Sequence, residues 1–372
     1  GVGIPGTGMI GLHIAAALGA VFGKSSQGLE LLTGISDNVV DEAKTIVDNN
    51  RVSIEIKEGI EKLYIEAICS NSDGEWAKAV ITERHSNIVL VEKNGVVIEC
   101  NENQDTNAED RSLKEKISLT VEAIFDFITR VPFADIEFIL TTVDYNDAIA
   151  QEGLSKEYGL SVGRKLKEYI EKGILSDDLM NNAMYLTAAA SDARMSGSTL
   201  PVMSNSGSGN QGITATLPVY SAAKSLKSDK ETLARALVLS HLVVIHIKNY
   251  LGRLSALCGC AVAAIGAGCG VSYLMGGGLK ESIYTIKNMV GNITGMVCDG
   301  AKEGCALKVS TGVSAAIQSA LLALEGIVIS SNDGIIDEDI EKTIQNFGRV
   351  GSEGMNQTDK LLLDIMVSKG KA

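Results

Sequence analysis

Residues 254–279 form a long stretch of this chain without a charged side chain. A helix of that length could cross a bilayer, but the stretch consists mainly of Ala, Gly, Cys and Ser, which contribute little to membrane insertion. We therefore predict a pair of buried helices. The whole chain has this character, since 45% of its residues are hydrophobic, only 4% are aromatic and 39 are glycines. Helices with such small side chains at their contacts can approach closely.

An earlier part of the chain has the period of β-strands. Polar and apolar residues alternate in five short segments, 52–57, 63–68, 77–81, 87–92 and 96–99. Asn94-Gly95, between the last two segments, is a strong hairpin signal. The pattern predicts a small antiparallel sheet of four or five strands, preceded by helices in the first 50 residues.

A polar segment, residues 101–111, separates this sheet from a remainder that has helical periodicity almost throughout. We expect an α+β fold, in which a small antiparallel β-sheet region is followed by a large, mostly α-helical domain. The predicted domains are residues 1–108, with the N-terminal helices and the sheet, and residues 109–372, which are all helical.

The net charge of −13 disfavours nucleic acid and membrane surfaces as partners, because both attract clustered Lys and Arg. The chain begins GVGIPGTG, without an initiator Met or the basic start of a signal peptide. Its seven cysteines have no regular disulfide framework. We therefore expect reduced thiols in a cytoplasmic protein that binds a small molecule. Self-association into a homo-oligomer stays open.

Residues 6–11, Gly-Thr-Gly-Met-Ile-Gly, match the glycine fingerprint of dinucleotide-binding folds. That interpretation requires a preceding strand and a surrounding βαβ unit. Only five residues precede the motif, and an antiparallel sheet is predicted after it, so we reject a dinucleotide site. The free N–H groups of a turn before a helix can still bind a carboxylate, which makes Thr7 a candidate substrate-binding residue.

A second glycine-rich segment, SNSGSGNQG at residues 204–212, interrupts the helical domain. Such a composition is typical of flexible linkers, but the flanks are apolar and no domain boundary is evident. Small hydroxyl and amide side chains at the start of a helix suit the carboxylate or amino group of a substrate, and Ser206, Ser208 and Asn210 are the candidates. Arg194, just upstream, can bind a carboxylate with two hydrogen bonds or pair with Asp192 or another acid.

Five cysteines fall in the helical domain: Cys258, Cys260, Cys269, Cys298 and Cys305. Their spacing contains no C-x-x-C pair, and cysteine is often simply a buried residue. The glycine-containing loop between Cys298 and Cys305 would let two thiolates turn towards one metal. His241 and His246 would point about 140° apart on a helix, which disfavours a shared metal.

Several motifs resemble the L-cysteine desulfidase family, which is related to the α chain of iron–sulfur L-serine dehydratases. They are PGTGMIGLHIAAALGA, AASDARMSGSTLPVMSNSGSGNQGITATLPV, LSHL, RLSALC and GMVCDGAKEGCALKVS. The resemblance covers essentially the whole chain, and the second motif is its most specific part.

This resemblance implies a [4Fe–4S] cluster in the helical domain, bound by Cys258, Cys298 and Cys305 with one iron left open. An aerobic preparation would be expected to lose it. Cys260 and Cys269 do not match the family's ligand positions. Family members also have an N-terminal Cys-Thr-Glu-Pro motif that is proposed to act in catalysis, and the present sequence starts after it. The family's serine dehydratases can end in a cysteine that reaches the open iron, which this sequence lacks.

The implied reaction is the cleavage of L-cysteine to pyruvate, ammonia and sulfide, with the substrate sulfur on the open iron. Thr7, Ser206, Ser208, Asn210 and Arg194 are expected to bind the substrate. The catalytic base is unknown, and we expect it in the leading segment. The alternatives are an L-serine dehydratase with the same cluster, a protein that binds amino acids without catalysis, and a zinc protein.

Overall fold

A computed structural model describes residues 1–32, 34–60, 63–83, 86–101, 119–252 and 255–369. The chain divides into two compact units, one of residues Met9–Ser118 and one of Gly1–Gly8 with Leu119–Ala372. The predicted boundary between residues 108 and 109 lies outside the described residues. The fold is α+β, with small antiparallel sheets near the N-terminus and a large helical domain, as the sequence predicts.

The smaller unit combines two helices with a four-stranded antiparallel sheet in which the strands lie side by side in chain order. Consecutive strands pair, with Ile65 opposite Ile81 and Lys93 opposite Val96. The elements, after strand β1 (Gly3–Ile4) of the larger unit, are β2 (Met9–Ile10), α1 (Leu12–Phe22), a short 3-10 helix (Ser25–Glu30), α2 (Asp37–Asp48), β3 (Tyr64–Ser70), β4 (Trp76–Thr82), β5 (Ile88–Lys93) and β6 (Val96–Cys100).

The prediction of a strand at residues 52–57 is wrong, because this segment is irregular and pairs with no strand among the described residues. Alternation tells which side chains share a face, but not whether the backbone finds a partner. The segment is instead linked to β3 through a side chain, since Lys57 Nζ lies 2.7 Å from Glu66 Oε2. The sheet consequently has four strands, the lower of the two predicted numbers.

The larger unit is a helical assembly. Its helices are α3 (Val121–Arg130), α4 (Phe133–Ile136), a 3-10 helix (Glu137–Leu140), α5 (Thr141–Ser155), α6 (Val162–Glu171), α7 (Leu179–Met195), α8 (Gly209–Leu226), α9 (Lys230–Leu251), α10 (Gly259–Leu274), α11 (Leu279–Ile293), α12 (Cys305–Leu324), α13 (Ile340–Arg349), a π-helical turn (Val350–Gly354) and α14 (Asn356–Ser368). Side-chain caps fix several N-termini; Asp178, for example, accepts from Asn181 N–H at 2.8 Å.

Small residues allow the backbones of neighbouring helices to come into direct contact. A Cβ on Gly266 of α10 would collide with the carbonyl oxygen of Ser240 on α9. Similarly, a Cβ on Gly153 of α5 would collide with the carbonyl oxygen of Ala189 on α7. The interior of α10 is buried from Cys260 to Ser272. Close packing of small side chains therefore replaces aromatic residues as the means of filling this core.

The uncharged stretch contains one buried helix, α10, and not the predicted pair. Helix α10 ends at Leu274, because Gly276 takes a φ of 91° that does not continue a helix. Among the described helices, α12 alone is long and apolar enough to cross a membrane, but more than half of its most apolar window is buried inside the protein. A core helix of a soluble protein meets the same criterion.

Replacing Gly266 by Val should lower the free energy of unfolding by about 1–3 kcal/mol, the usual effect of overpacking a filled core. The added side chain has to displace α9, because its first carbon already meets the Ser240 carbonyl. Urea unfolding measures the change. Gly295→Ala is the matched control, since a Cβ there meets no atom within 4 Å. Equal stability of the two variants would contradict close helix packing at Gly266.

Candidate functional site

Cys258 and Cys298 lie on two backbone segments that pair directly. Cys258 N–H donates to Met296 O at 2.9 Å, and Cys298 N–H donates to Ala256 O at 2.6 Å. Leu257 and Val297 form the antiparallel bridge between these bonds. The pairing joins the segment that enters α10 to the segment that follows α11, so two cysteines far apart in sequence become neighbours.

Cys305 reaches the same region from the start of α12, where it is the first helical residue. Helix α12 packs on α10, since a Cβ on Gly312 would lie 3.2 Å from Ala264 Cβ. Cys258 is the N-cap of α10. Two helix N-termini therefore carry candidate ligands, and the positive end of each helix dipole favours a negatively charged sulfur there.

The thiols are close enough to influence each other's protonation. Hydrogen bonding from the Cys260 thiol and from backbone N–H groups lowers the pKa of Cys258 below its usual range. The same pairing with Cys258, together with burial, raises the pKa of Cys260 above its usual range. Burial raises the pKa of Cys298, and charges on Cys258 and Cys305 add to this effect.

Lys308 links the two ends of the cysteine loop. Its ammonium donates to Val297 O at 2.7 Å and to Asp299 Oδ1 at 2.5 Å, and these two residues flank Cys298. Because Lys308 lies on the first turn of α12, it connects the surroundings of Cys298 to the helix that begins with Cys305. Lys302 and Lys308 hold the pKa of Asp299 well below its usual range.

Further cations face the thiols. Burial lowers the pKa of Lys248, while negative charge on Cys298 opposes the shift. Burial also lowers the pKa of Arg194, and charges on Cys260 and Cys305 act in the opposite direction. Among the described residues, no carboxylate lies within ion-pairing distance of Arg194, so the structure does not support the predicted alternative of a pair with Asp192. A mostly buried guanidinium without such a partner can receive an anion.

Asp192 has a different role from the one considered in the sequence. Its Oδ2 accepts from Gly163 N–H at 2.9 Å, at the start of α6. Burial is the main reason that the pKa of Asp192 rises to about 7, with a smaller contribution from Glu303. The carboxyl group therefore caps a neighbouring helix and leaves the guanidinium two residues later available.

The serine- and glycine-rich segment forms a two-residue β-hairpin. Asn205 N–H donates to Ser208 O at 3.1 Å, and Ser208 N–H donates to Asn205 O at 3.0 Å. Ser206 and Gly207, between them, have φ values of 50° and 82°, the left-handed conformation that a type I′ turn requires. This segment is thus an ordered turn and not a flexible linker. A serine held in that conformation is strained, and such strain clusters at functional sites.

The hairpin is anchored from behind by buried polar side chains. Asn205 Nδ2 lies 3.0 Å from His241 Nδ1, and Thr216 Oγ1 lies 3.0 Å from His241 Nε2. Because an amide nitrogen only donates, Nδ1 accepts and Nε2 carries the proton. Burial lowers the pKa of His241 to about 4, which keeps the ring neutral. His246 binds Glu341 instead, so the two histidines have separate partners, as their spacing predicts.

Of the predicted substrate-binding residues, Arg194 and Asn210 meet in the structure. Arg194 NH1 lies 3.4 Å from Asn210 Oδ1. Ser208 is the N-cap residue of α8 and makes no capping bond with its side chain. Ser206 Oγ donates within the hairpin, to Asn205 Oδ1 at 2.8 Å. The start of α8 and the end of α7 thus present hydroxyl, amide and guanidinium groups together.

Thr7 lies three residues after β1, the strand that packs against the end of α7. A Cβ on Gly3 would lie 2.6 Å from Gly197 N, three residues after Arg194. Thr7 Oγ1 donates to Ile4 O at 2.8 Å, which closes the turn after β1. The N-terminal segment of this unit therefore runs beside the helix end that carries Arg194.

The donor set fits a sulfur-bound cluster. Three free thiols lie near two helix N-termini and beside Lys308, Lys248 and Arg194, which can balance the negative charge of thiolates. Within the described residues, no three His, Cys, Asp or Glu side chains surround a point that one metal ion could occupy. In a four-iron cluster each cysteine binds a different iron, so its ligands need not converge in that way.

Sequence reasoning did not single out Gln211, Lys308 or His241. Gln211 lies within the quoted SNSGSGNQG motif, and only its unpaired buried oxygen and its contact with the start of α10 distinguish it. A lysine on the first turn after a cysteine was a usable signal for Lys308, since basic residues stabilise thiolates. His241 had none, because its partners Asn205 and Thr216 lie on other elements.

His241 should make stability fall as pH falls from 6.5 to about 4. The unfolded ring takes up a proton in this window while the folded ring stays neutral, so the unfolded state binds more protons and is favoured. The free energy of unfolding should fall by about 3 kcal/mol over this pH range. Denaturant unfolding from pH 7 to 4 should show that the advantage of wild type over His241→Gln shrinks by this amount. Parallel loss of stability in both proteins would contradict the assignment.

Lys308→Met should loosen the cysteine loop. The change removes two hydrogen bonds from a charged donor, so amide exchange in residues 297–305 should accelerate by about tenfold. Hydrogen–deuterium exchange of the metal-free protein measures this. Lys302→Met is the control, because it removes a partly exposed ion pair with Asp299 and no bond to the backbone beside Cys298; surface ion pairs contribute about 0–1 kcal/mol. Unchanged exchange in Lys308→Met would show that Lys308 does not hold the loop.

Comparison with known proteins assigns the chain to a family. The family model described as the serine dehydratase alpha chain matches residues 27–364. A UPF0597 protein of Oleidesulfovibrio alaskensis is 51% identical over 99% of this chain and 86% of its own length. UPF0597 proteins of Bacteroides fragilis and Aeromonas hydrophila are 49% and 44% identical, each over 100% of this chain and over 86% and 85% of their own lengths. The chain therefore belongs to the serine dehydratase alpha-chain family.

Proposed function

We propose that this chain is an iron–sulfur lyase that cleaves L-cysteine to pyruvate, ammonia and sulfide. Cys258, Cys298 and Cys305 would hold a [4Fe–4S] cluster. When bound, the cluster would supply an iron without a protein ligand, a Lewis acid for which the substrate sulfur is a natural ligand. The observation that carries the proposal is the grouping of the three thiols with Arg194, a guanidinium that has no carboxylate partner among the described residues.

The side chains around the thiols suit an amino-acid substrate. Arg194 can bind the substrate carboxylate with two hydrogen bonds. Asn210, Ser208 and Ser206 offer amide and hydroxyl groups at the N-terminus of α8, where the helix dipole also favours a carboxylate. Thr7 would approach from the turn after β1. Together these groups would hold the Cα–H and Cβ–S bonds in a fixed orientation.

The proposed reaction is an elimination. Removal of the α-proton and departure of the sulfur as hydrosulfide convert L-cysteine into aminoacrylate. Aminoacrylate tautomerises to the imine, and water hydrolyses the imine to pyruvate and ammonia. Neither oxidant nor reductant is consumed. Orientation of the breaking bonds by the protein is the main requirement on the side chains.

L-Serine dehydration is the second candidate, and the description of the matching family favours it. The same binding groups would hold L-serine, and the hydroxyl group would leave in place of the thiol. The test compares kcat/KM for L-cysteine with kcat/KM for L-serine, both measured on the anaerobically reconstituted enzyme. A higher kcat/KM for L-cysteine supports the first proposal, and an equal or higher value for L-serine overturns it. Binding of either amino acid without turnover would indicate a non-catalytic binding protein.

We also propose that the protein works in the cytoplasm on its small substrate, without nucleic acid or membrane. The seven cysteines are free, and Cys69 and Cys100 are exposed. Exposed thiols persist in a reducing compartment.

Serine substitutions should separate ligands from neighbouring thiols. Cys258→Ser, Cys298→Ser and Cys305→Ser should each abolish the cluster, because every change removes one of its three thiolates. Cys260→Ser and Cys269→Ser are the matched controls and should keep about four irons and four sulfides per chain. Iron and sulfide analysis after anaerobic reconstitution measures the outcome. Full loss in Cys260→Ser, or zinc without sulfide in wild type, would contradict the proposed cluster.

A further inference from the structure

Like Thr214, Gln211 is a buried residue of α8 with a polar side-chain atom that has no hydrogen-bond partner among the described residues. Gln211 is only 6% exposed, yet its Oε1 has no hydrogen-bond partner among the described residues. Buried amide oxygens normally have a partner, because they lose their hydration on burial. An unpaired acceptor in an ordered helix therefore indicates a donor that the protein itself does not provide.

The amide of Gln211 lies against the start of α10. A Cβ on Gly259 would lie 2.8 Å from Gln211 Nε2 and 3.0 Å from its Cδ. Gly259 stands between Cys258 and Cys260 and is the first residue of that helix. Only glycine leaves room for the amide at this point. The unpaired oxygen is thereby held beside the candidate ligand cysteines.

A complementary group lies next to it. Asn210, the preceding residue, is in hydrogen-bonding distance of Arg194, whose charge has no carboxylate partner among the described residues. The end of α7 and the start of α8 thus combine a cationic donor that has no carboxylate partner among the described residues with a neutral acceptor that is unpaired. An amino-acid zwitterion has the complementary pair, a carboxylate for the guanidinium and an ammonium for the amide oxygen.

We propose that Gln211 is a substrate-binding residue whose Oε1 accepts a hydrogen bond from the α-ammonium group of the amino acid. The proposal rests on the lyase activity proposed above and adds the group that selects α-amino acids over simple carboxylic acids. Gln211 makes this selection because its oxygen stays unpaired when a ligand lacks the ammonium group. A site built to bind a polar group rejects the analogue without it.

L-Alanine and propionate test this role, since they differ only in the amino group and neither has a leaving group to eliminate. Titration calorimetry on the anaerobically reconstituted enzyme gives both affinities without turnover. Wild type should bind L-alanine more tightly than propionate. Gln211→Met should weaken the binding of L-alanine by about tenfold or more. The affinity for propionate should stay within about twofold of the wild-type value. Gln211→Glu, which keeps an acceptor, should restore binding of L-alanine.

Gln151→Met, on the exposed surface of α5, is the matched control and should change neither affinity. Equal weakening of both ligands in Gln211→Met would mean that the side chain only supports the fold, and this overturns the inference. Unchanged affinities, or a wild type that does not distinguish the two ligands, overturn it as well. Turnover of L-cysteine and L-serine by the same preparation judges the lyase proposal separately, because the calorimetric result does not depend on catalysis.

Discussion

The site depends on the backbone pairing between Leu257 and Val297. Two hydrogen bonds flank this bridge, and each is donated by a candidate ligand cysteine. Loss of the pairing would separate the entrance of α10 from the segment after α11, and with them Cys258 from Cys298. The N–H groups that make the pairing also fix the direction of both side chains, so the site forms only when the helical core has assembled.

That core permits the pairing because its helices are made of small residues. Where Gly266 meets the Ser240 carbonyl, α10 lies directly on the backbone of α9. The same closeness brings the amide of Gln211 against Gly259. A larger side chain at Gly266 would push α10 away from α9, and one at Gly259 would displace the amide of Gln211 from its place beside the cysteines.

Charge shapes the site as much as packing does. Burial raises the pKa of Cys298, and negative charge on Cys258 and Cys305 adds to this effect, so full ionisation of the neighbouring thiols is disfavoured. Lys308 counters this repulsion while it also holds the residues on both sides of Cys298. Arg194 has no carboxylate partner among the described residues. Lys308 thus supports the cysteine loop, whereas Arg194 is proposed to bind the substrate.

The sequence predicts the fold class well, because strand and helix periods differ and the change between them is sharp. It fails at residues 52–57, where alternation occurs without a pairing partner, and at 254–279, where Gly276 ends a single helix. The cysteines could be chosen only through a family resemblance, since their spacing allows several sets. Gln211 was not singled out, because its significance lies in an unpaired oxygen and a contact with Gly259 that only the folded chain brings about.

Mössbauer spectroscopy of the enzyme reconstituted anaerobically with ⁵⁷Fe tests the central claim most directly, namely that three cysteines leave one iron of a four-iron cluster open to the substrate. The spectrum should show a [4Fe–4S] cluster, and addition of L-cysteine should shift the signal of about one iron in four. A spectrum that L-cysteine leaves unchanged would contradict the open position. A protein that takes up iron without sulfide would contradict the cluster itself.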